Sequence, residues 1–197
     1  MISEGIPLDH QVIAQIVEPG ARVLDLGCGT GDLLFLLAKE KRARVEGIEL
    51  DDAKIFKCVE KGLSVTHGDI ESGLAEYPDQ AFDYVVLNQS MQEVKRADLV
   101  ISEALRVGKK VIVGFPNFAH YESRLQIFFL GRTPVTPALP YKWHDTPNLH
   151  FLTIFDFWEF TKEKGLKVLA AYYLGNKRKV RFFPNLFSRI AIFVLTK

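Results

Sequence analysis

Hydrophobic positions along this chain fall into two kinds of stretch. Short, continuous apolar runs at residues 23–26, 45–50, 63–66, 82–87 and 109–115 have the length and density of strands buried on both faces of a parallel sheet. Between several of them the apolar residues recur at helical spacing: Leu33, Leu34, Leu36 and Leu37 in 32–39, Ile55, Phe56 and Val59 in 52–61, and Leu99, Val100, Ala104 and Leu105 in 97–107. Each of these sets is expected to face a sheet. A short helix at 10–18, carrying Val12, Ile13, Ile16 and Val17, precedes the first strand, and an aromatic-rich helix at 155–164 follows the last parallel one. Gly62 and Gly165 supply the stops of the helices they follow, and Gly108 separates helix 97–107 from its strand. Two more runs, 166–174 and 190–196, flank a basic turn, Lys177-Arg178-Lys179. Alternation of strand and helix predicts an α/β fold with a mostly parallel sheet and helices on both faces.

The first strand runs without a spare residue into Gly27-Cys28-Gly29-Thr30-Gly31 and then into a helix. Three alternate glycines allow backbone angles that other residues resist and remove the Cβ atoms that would hold a ligand off the main chain. The helix beginning at Gly31 or Asp32 aims its free amides at the same place. Glu49, 20 residues beyond Gly29 at the end of the second strand and followed by Leu50, is placed to accept from the two hydroxyls of a ribose. The alternative role, capping the next helix, already has Asp51 and Asp52 to fill it. A dinucleotide and S-adenosylmethionine both satisfy this pattern. Asp25 separates them, because a carboxylate two residues before the first glycine repels a pyrophosphate and attracts a sulfonium or an amino group. After the third run, Asp69 can accept from an adenine amino group with Ile70 against the ring, although Gly68-Asp69 also reads as a turn.

Through Val23 to Gly31, Glu49, Gly68-Asp69 and Phe82-Asp83-Tyr84-Val85-Val86-Leu87, the chain resembles class I S-adenosylmethionine-dependent methyltransferases over most of its length. A closer resemblance, to the MetW family of methionine biosynthesis proteins, runs through Pro116-Asn117-Phe118, Gly131-Arg132-Thr133-Pro134-Val135-Thr136, Leu139-Pro140-Tyr141 and Asp145-Thr146-Pro147-Asn148-Leu149-His150. The resemblance implies a Rossmann-like, doubly wound sheet of seven strands, mostly parallel, with an antiparallel last strand. It implies S-adenosylmethionine or S-adenosylhomocysteine as cofactor, held by Asp25, Gly27, Cys28, Gly29, Gly31, Glu49, Leu50, Asp69, Ile70 and Asn88. It also implies a place in methionine biosynthesis, with homoserine O-acyltransferase as the partner whose activity the family supports. Asn88-Gln89-Ser90, at the tip of the fourth strand, lacks the Asn-Pro-Pro-Tyr pattern of amino-directed methyltransferases. No catalytic residue is assigned. Methyl transfer needs mainly alignment of donor and acceptor in a dry site, so a small-molecule methyltransferase is the alternative to a subunit role.

Length and composition narrow the remaining classes. At 197 residues and 48% hydrophobic content, residues 1–197 are expected to form one methyltransferase-like domain. Twenty-five basic against 24 acidic residues give no excess to steer the chain to nucleic acid. The opening residues lack signal-peptide pattern and no apolar run is long enough for a membrane span, which reads as a cytoplasmic protein with no membrane partner. Cys28 and Cys58 make a poor disulfide framework and are expected to be free thiols.

Five of the nine prolines fall between Pro116 and Pro147, among Phe118, Tyr121, Phe128, Phe129, Tyr141 and Trp143. Residues 116–151 are therefore expected to be an ordered insertion over the carboxyl end of the sheet, as a lid, a docking surface or both. Tyr121, Leu125 and Phe128 share one helix face while Ile127, Phe129 and Leu130 fill the others. Such a helix must be covered, by its own domain or by another chain. His120, His144 and His150 lie in the same stretch at a spacing that matches no zinc pattern, so no metal is expected. Hydrogen bonding within the loop is the expected role of these histidines, with a base near a methyl acceptor as the alternative for His144 or His150.

Overall fold

A computed structural model describes residues 5–72 and 74–197. In chain order the elements are α1 (Leu8–Ile16), β1 (Arg22–Leu26), α2 (Asp32–Lys41), β2 (Arg44–Glu49), α3 (Asp52–Glu60), β3 (Ser64–His67), β4 (Phe82–Asn88), α4 (Ala97–Val107), β5 (Gly108–Pro116), α5 (Tyr121–Leu125), α6 (Ile154–Glu163), β6 (Lys167–Leu174), α7 (Pro184–Phe187) and β7 (Ile190–Thr196). A 3-10 turn, Met91–Glu93, follows β4, and α5 continues into a π turn, Gln126–Leu130. The strands form one seven-stranded sheet in the order β3-β2-β1-β4-β5-β7-β6. Pairs from β3 to β5 are parallel, and β7 is antiparallel to both β5 and β6. This is the Rossmann-like α/β fold with an antiparallel last strand that the sequence predicts.

Adjacent residues on the central strands feed opposite cores, as the two-residue period of a strand requires. Leu24, Val85, Val113 and Phe193 pack with α4 and α6 on one face, whereas Val23, Val86, Ile112 and Ile192 pack with α1 and α2 on the other. On the α6 face, Phe157 sits 5.0 Å from Phe115 and 4.7 Å from Phe193, centroid to centroid. α6 starts where it does because Thr153 and Asp156 form a reciprocal capping box.

Four local expectations need correction. α1 begins at Leu8 and ends at Ile16, so Asp9 falls in its first turn and is buried. On α3, Phe56 and Val59 are 70% and 60% exposed, and Cys58 is the residue that turns inward, with Ile55 half-buried. The helix covers only the sheet margin at β2 and β3, where β3 has four residues and none fully buried, so the buried seam is narrower than the apolar pattern. On α4, Ile101 takes the place expected for Leu99, which is 38% exposed. Gly108 is the first residue of β5 and not a spacer: a Cβ there would lie 2.7 Å from Val85 Cγ2 and 3.2 Å from the Ala104 carbonyl oxygen.

Residues 116–151 are threaded with specific bonds. Asn117, buried, donates to the Asn185 and Ser188 carbonyls at 3.1 and 2.9 Å. The Gln126 side chain clamps Val135, accepting from its N–H at 3.0 Å and donating to its carbonyl at 2.9 Å. The amides of Leu149 and His150 both donate to the Gln92 carbonyl, which ties the end of the segment to the tip region of β4. The apolar helix is not covered by its own domain. Only Ser123 of α5 is buried, while Phe128 and Phe129 on the π turn are 81% and 71% exposed. Among the described residues, no helix is long and apolar enough to cross a membrane.

Candidate functional site

The carboxyl ends of β1, β2 and β4 enclose a cleft of about 440 Å³. Six of the predicted residues line it: Gly27, Gly29, Glu49, Leu50, Asp69 and Ile70. The two glycines and Glu49 have local reasons for their positions. Gly27 has φ +75°, and a Cβ there would meet Ser90 Cβ at 2.8 Å, so glycine lets β1 and the β4 tip approach. Ser90 secures that approach by donating to the Leu26 carbonyl at 2.6 Å. Gly29, at φ +58°, has nothing within 4 Å of where a Cβ would stand, so that side of the loop is open.

Glu49 is buried at the end of β2 and is bound by three backbone amides: Gly29 at 2.8 Å on one oxygen, Leu50 and Asp51 at 3.0 Å on the other. Those bonds join the glycine loop to the β2 end. Capping of α3 falls to Asp51, which accepts from Ala53 at 2.9 Å. A carboxylate anchored this way keeps its remaining lone pairs aimed at the cleft, where Lys54 stands 4.0 Å from Oε1.

Asp25 is buried beneath the loop, on β1 between Gly47 and Val86. Burial, reinforced by the nearby charge of Glu49, pushes its carboxyl up to about 7. Among the described residues it has no cationic partner, so a cation brought to the cleft is what would favour its ionised form. Cys28 turns the other way, into a small cluster with Leu34 and Cys58, and burial raises both thiols above their ordinary range. Both cysteines are free, as expected, and the Cys58 thiol donates to the Gly29 carbonyl at 3.3 Å. Gly31 also faces inward: a Cβ there would meet Leu63 at 2.6 Å and Cys58 at 2.9 Å. Lys61 holds this end of the loop through the Thr30 carbonyl at 2.7 Å and Asp32 at 2.6 Å.

The Asn88 side chain is directed away from the cleft, donating to Asp9 Oδ2 at 3.0 Å. Gln89, next in the chain, donates to the same oxygen at 2.8 Å from a left-handed backbone, φ +60°. Gln89 and Ser90, named in the sequence as part of the β4 tip, line the cleft, as do Glu93 and Lys95, which were not singled out. Proximity to the β4 tip was the available signal, since ligands of open α/β sheets sit at strand carboxyl ends. Burial raises the Glu93 carboxyl, and the charge of Lys54 opposes that rise.

Of the three insertion histidines, His120 and His150 make hydrogen bonds, whereas His144, against expectation, makes none among the described residues. His120 is the buried N-cap of α5, accepting from the Glu122 amide at 3.4 Å, and burial lowers its affinity for a proton. His150 Nε2 meets the Val94 carbonyl at 2.9 Å, and His144 is exposed beside Trp143. Among the described residues, no group of three or more His, Cys, Asp or Glu is arranged to hold a metal ion.

Comparison with known proteins gives the same fold and a more specific kinship. A methyltransferase described as S-adenosylmethionine-dependent, possibly a histamine N-methyltransferase, from Thermotoga maritima superposes with a TM-score of 0.68 at 16% identity, over 96% of this chain and 88% of its own. The cyclase SpnF matches with the same TM-score at 19% identity, over 95% of this chain and 80% of its own, so the shared architecture does not dictate one reaction. The bifunctional methionine biosynthesis protein MetXA/MetW of Rhodopirellula baltica is 36% identical over 158 residues, 76% of this chain and 25% of that protein. This chain thus spans about a quarter of the length of that relative. The family described as methionine biosynthesis protein MetW matches residues 8–195, and the chain belongs to that family.

Proposed function

We propose that this chain is an S-adenosylmethionine-binding, methyltransferase-like subunit that associates with homoserine O-acyltransferase and supports its activity. The observation that carries this reading is the Rhodopirellula baltica relative, in which MetXA and MetW are parts of one bifunctional protein. Fusion holds two partners at high effective concentration, whereas separate chains must find each other through a surface. The exposed ridge of α5 and its π turn is a candidate for that surface. Tyr121 packs 6.2 Å from Phe187, which extends the apolar face toward Phe182 and Phe183, both more than 70% exposed. Apolar patches of this kind are uncommon on monomers.

The cleft fits S-adenosylmethionine by its donor set. Glu49 would accept from the ribose hydroxyls, Asp69 from the adenine amine with Ile70 beside the ring, and the open backbone at Gly27 and Gly29 would take the amino-acid end, with Asp25 beneath it. When bound, the group supplies an electrophilic methyl on a sulfonium. In a subunit it also carries information, because it is made from methionine and its level reports pathway output. That report reaches the acyltransferase only if the ligand binds the free subunit and the complex with different affinity.

A second reading, methyl transfer to a small acceptor, is favoured by Gln89, which lines both the cleft and an adjoining cavity. The two readings part on complex formation. Size-exclusion chromatography with light scattering, using the acyltransferase of the same organism, should show a stoichiometric complex that Phe128→Ser with Phe129→Ser abolishes, while S-adenosylmethionine affinity stays within about twofold. Absence of any complex with the unaltered chain would refute the subunit reading.

A further inference from the structure

The turn after β6, residues 175–181, carries Lys177, Arg178, Lys179 and Arg181, all exposed. Backbone bonds hold it tightly: the Gly175 amide donates to the Arg178 carbonyl at 2.9 Å, and the Val180 amide to the Tyr173 carbonyl at 2.7 Å. The four cations are thereby kept near one another, where like charges repel. They line one open concavity of about 710 Å³, and no acidic residue among the described residues lines it with them.

Cations elsewhere in the chain are matched. Lys61, Arg106, Lys109, Lys110 and Arg189 each meet a carboxylate at 3.0 Å or less. No ion pair to any of the four turn cations occurs among the described residues. Lys179 donates to the Gln15 side-chain oxygen at 3.3 Å and stands 4.9 Å over the Tyr172 ring, both neutral. In a chain of net charge +1, positive charge is concentrated at this turn.

Exposed aromatic rings adjoin the charge. Phe182 and Phe187 share the concavity with the cations. Phe183, also exposed, has a left-handed backbone, φ +47°, which a bulky residue adopts at a cost. Phe187 lies 6.2 Å from Tyr121 of α5, so the basic concavity is continuous with the apolar ridge. An apolar centre bordered by charge is the arrangement of a protein interface, and a rim of one sign is complementary to a rim of the other. A nucleic-acid surface would instead carry basic charge along a track of phosphates, beyond a single turn.

We propose that this turn is the charged rim of the subunit interface and takes an acidic segment of the acyltransferase, its carboxylates on Lys177, Arg178 and Arg181 and its apolar neighbours against Phe182 and Phe187. The acidic contact presupposes the association proposed above and adds to it the chemistry of the partner's face.

Association of the full chain with the acyltransferase of the same organism, followed by biolayer interferometry at low and high salt, tests it. Lys177→Glu with Arg178→Glu should lower the association rate at low salt by at least about tenfold and remove most of its salt dependence. Both sites are exposed, so the melting temperature should stay within about 2 °C of that of the unaltered chain. Lys39→Glu with Lys57→Glu, at exposed sites on α2 and α3, gives the same change in net charge and should leave the rate within about twofold. Carbodiimide crosslinking of the complex, which joins a carboxylate to an amine, should link Lys177 or Lys179 to an Asp or Glu of the acyltransferase. An association rate indifferent to the Lys177 and Arg178 reversals, an equal loss with the α2 and α3 pair, or no crosslink from either lysine to the partner would overturn the acidic contact while leaving the association standing. No complex with the unaltered chain would refute the association and the contact together. Phosphatidylglycerol vesicles or single-stranded RNA that bind the unaltered chain and not the reversed pair, with the complex indifferent to the reversal, would assign the turn to lipid or nucleic acid and also overturn the proposal.

Discussion

At the scale of single residues, Asp25 and Glu49 show how one fold gives two carboxylates different work. Glu49 is satisfied by three backbone amides. Asp25 is buried near it without a cation among the described residues, and its carboxyl is pushed up to about 7 from 3.8. The sign of the consequence follows from linkage: a carboxyl raised in the folded state stabilises in its neutral form, and that contribution is lost as pH rises from 3.8 through about 7. Relative to Asp25→Asn, the unliganded wild type should lose thermal stability across that interval. A bound sulfonium or ammonium reverses the preference. Affinity for S-adenosylmethionine should therefore rise with pH through about 7 in the wild type and stay flat in Asp25→Asn, as read by calorimetry at several pH values. A wild-type affinity independent of pH would contradict a role for Asp25 beneath the cationic end of the ligand.

At the scale of elements, legibility followed the strength of the physical signal. The parallel strands were readable because strands buried on both faces are apolar throughout, and β1, β4 and β5 are buried over most of their length. The glycine loop and Glu49 were readable because turn chemistry and position at a strand end are local facts. Phe56, Val59 and Leu99 were misjudged because an apolar stripe says which way a helix faces and not how much surface waits there. Asp9 gave no sequence signal and Gln89 only its place at the β4 tip, since a buried acid and a left-handed glutamine arise from tertiary neighbours. α6 marks the opposite case, since the helix read over 155–164 runs from Ile154 to Glu163. Phe157 joins it to Phe115 and Phe193, and Phe157→Ala should cost about 3–5 kcal/mol in urea unfolding, against less than about 1 kcal/mol for truncating exposed Phe155 on the same helix.

At the scale of the molecule, the sheet presents everything of functional interest at its carboxyl edge: the cleft beside β1 and β2, the second cavity beside β6 and β7, and residues 116–151 between and above them. Rigid cores on both faces hold that edge, while the apolar ridge of α5 and its π turn projects from it uncovered. This division suits a subunit that reads a small molecule on the sheet edge and transmits the result through the ridge. It also explains why fold likeness is an insufficient guide, since methyltransferases and the cyclase SpnF share the scaffold. The most direct measurement is homoserine acyl transfer by the acyltransferase of the same organism, assayed with and without this chain at matched concentrations. A large rise in rate that Phe128→Ser with Phe129→Ser removes, in a variant that still folds, is the result predicted here; an unchanged rate over a full titration of the subunit would contradict it.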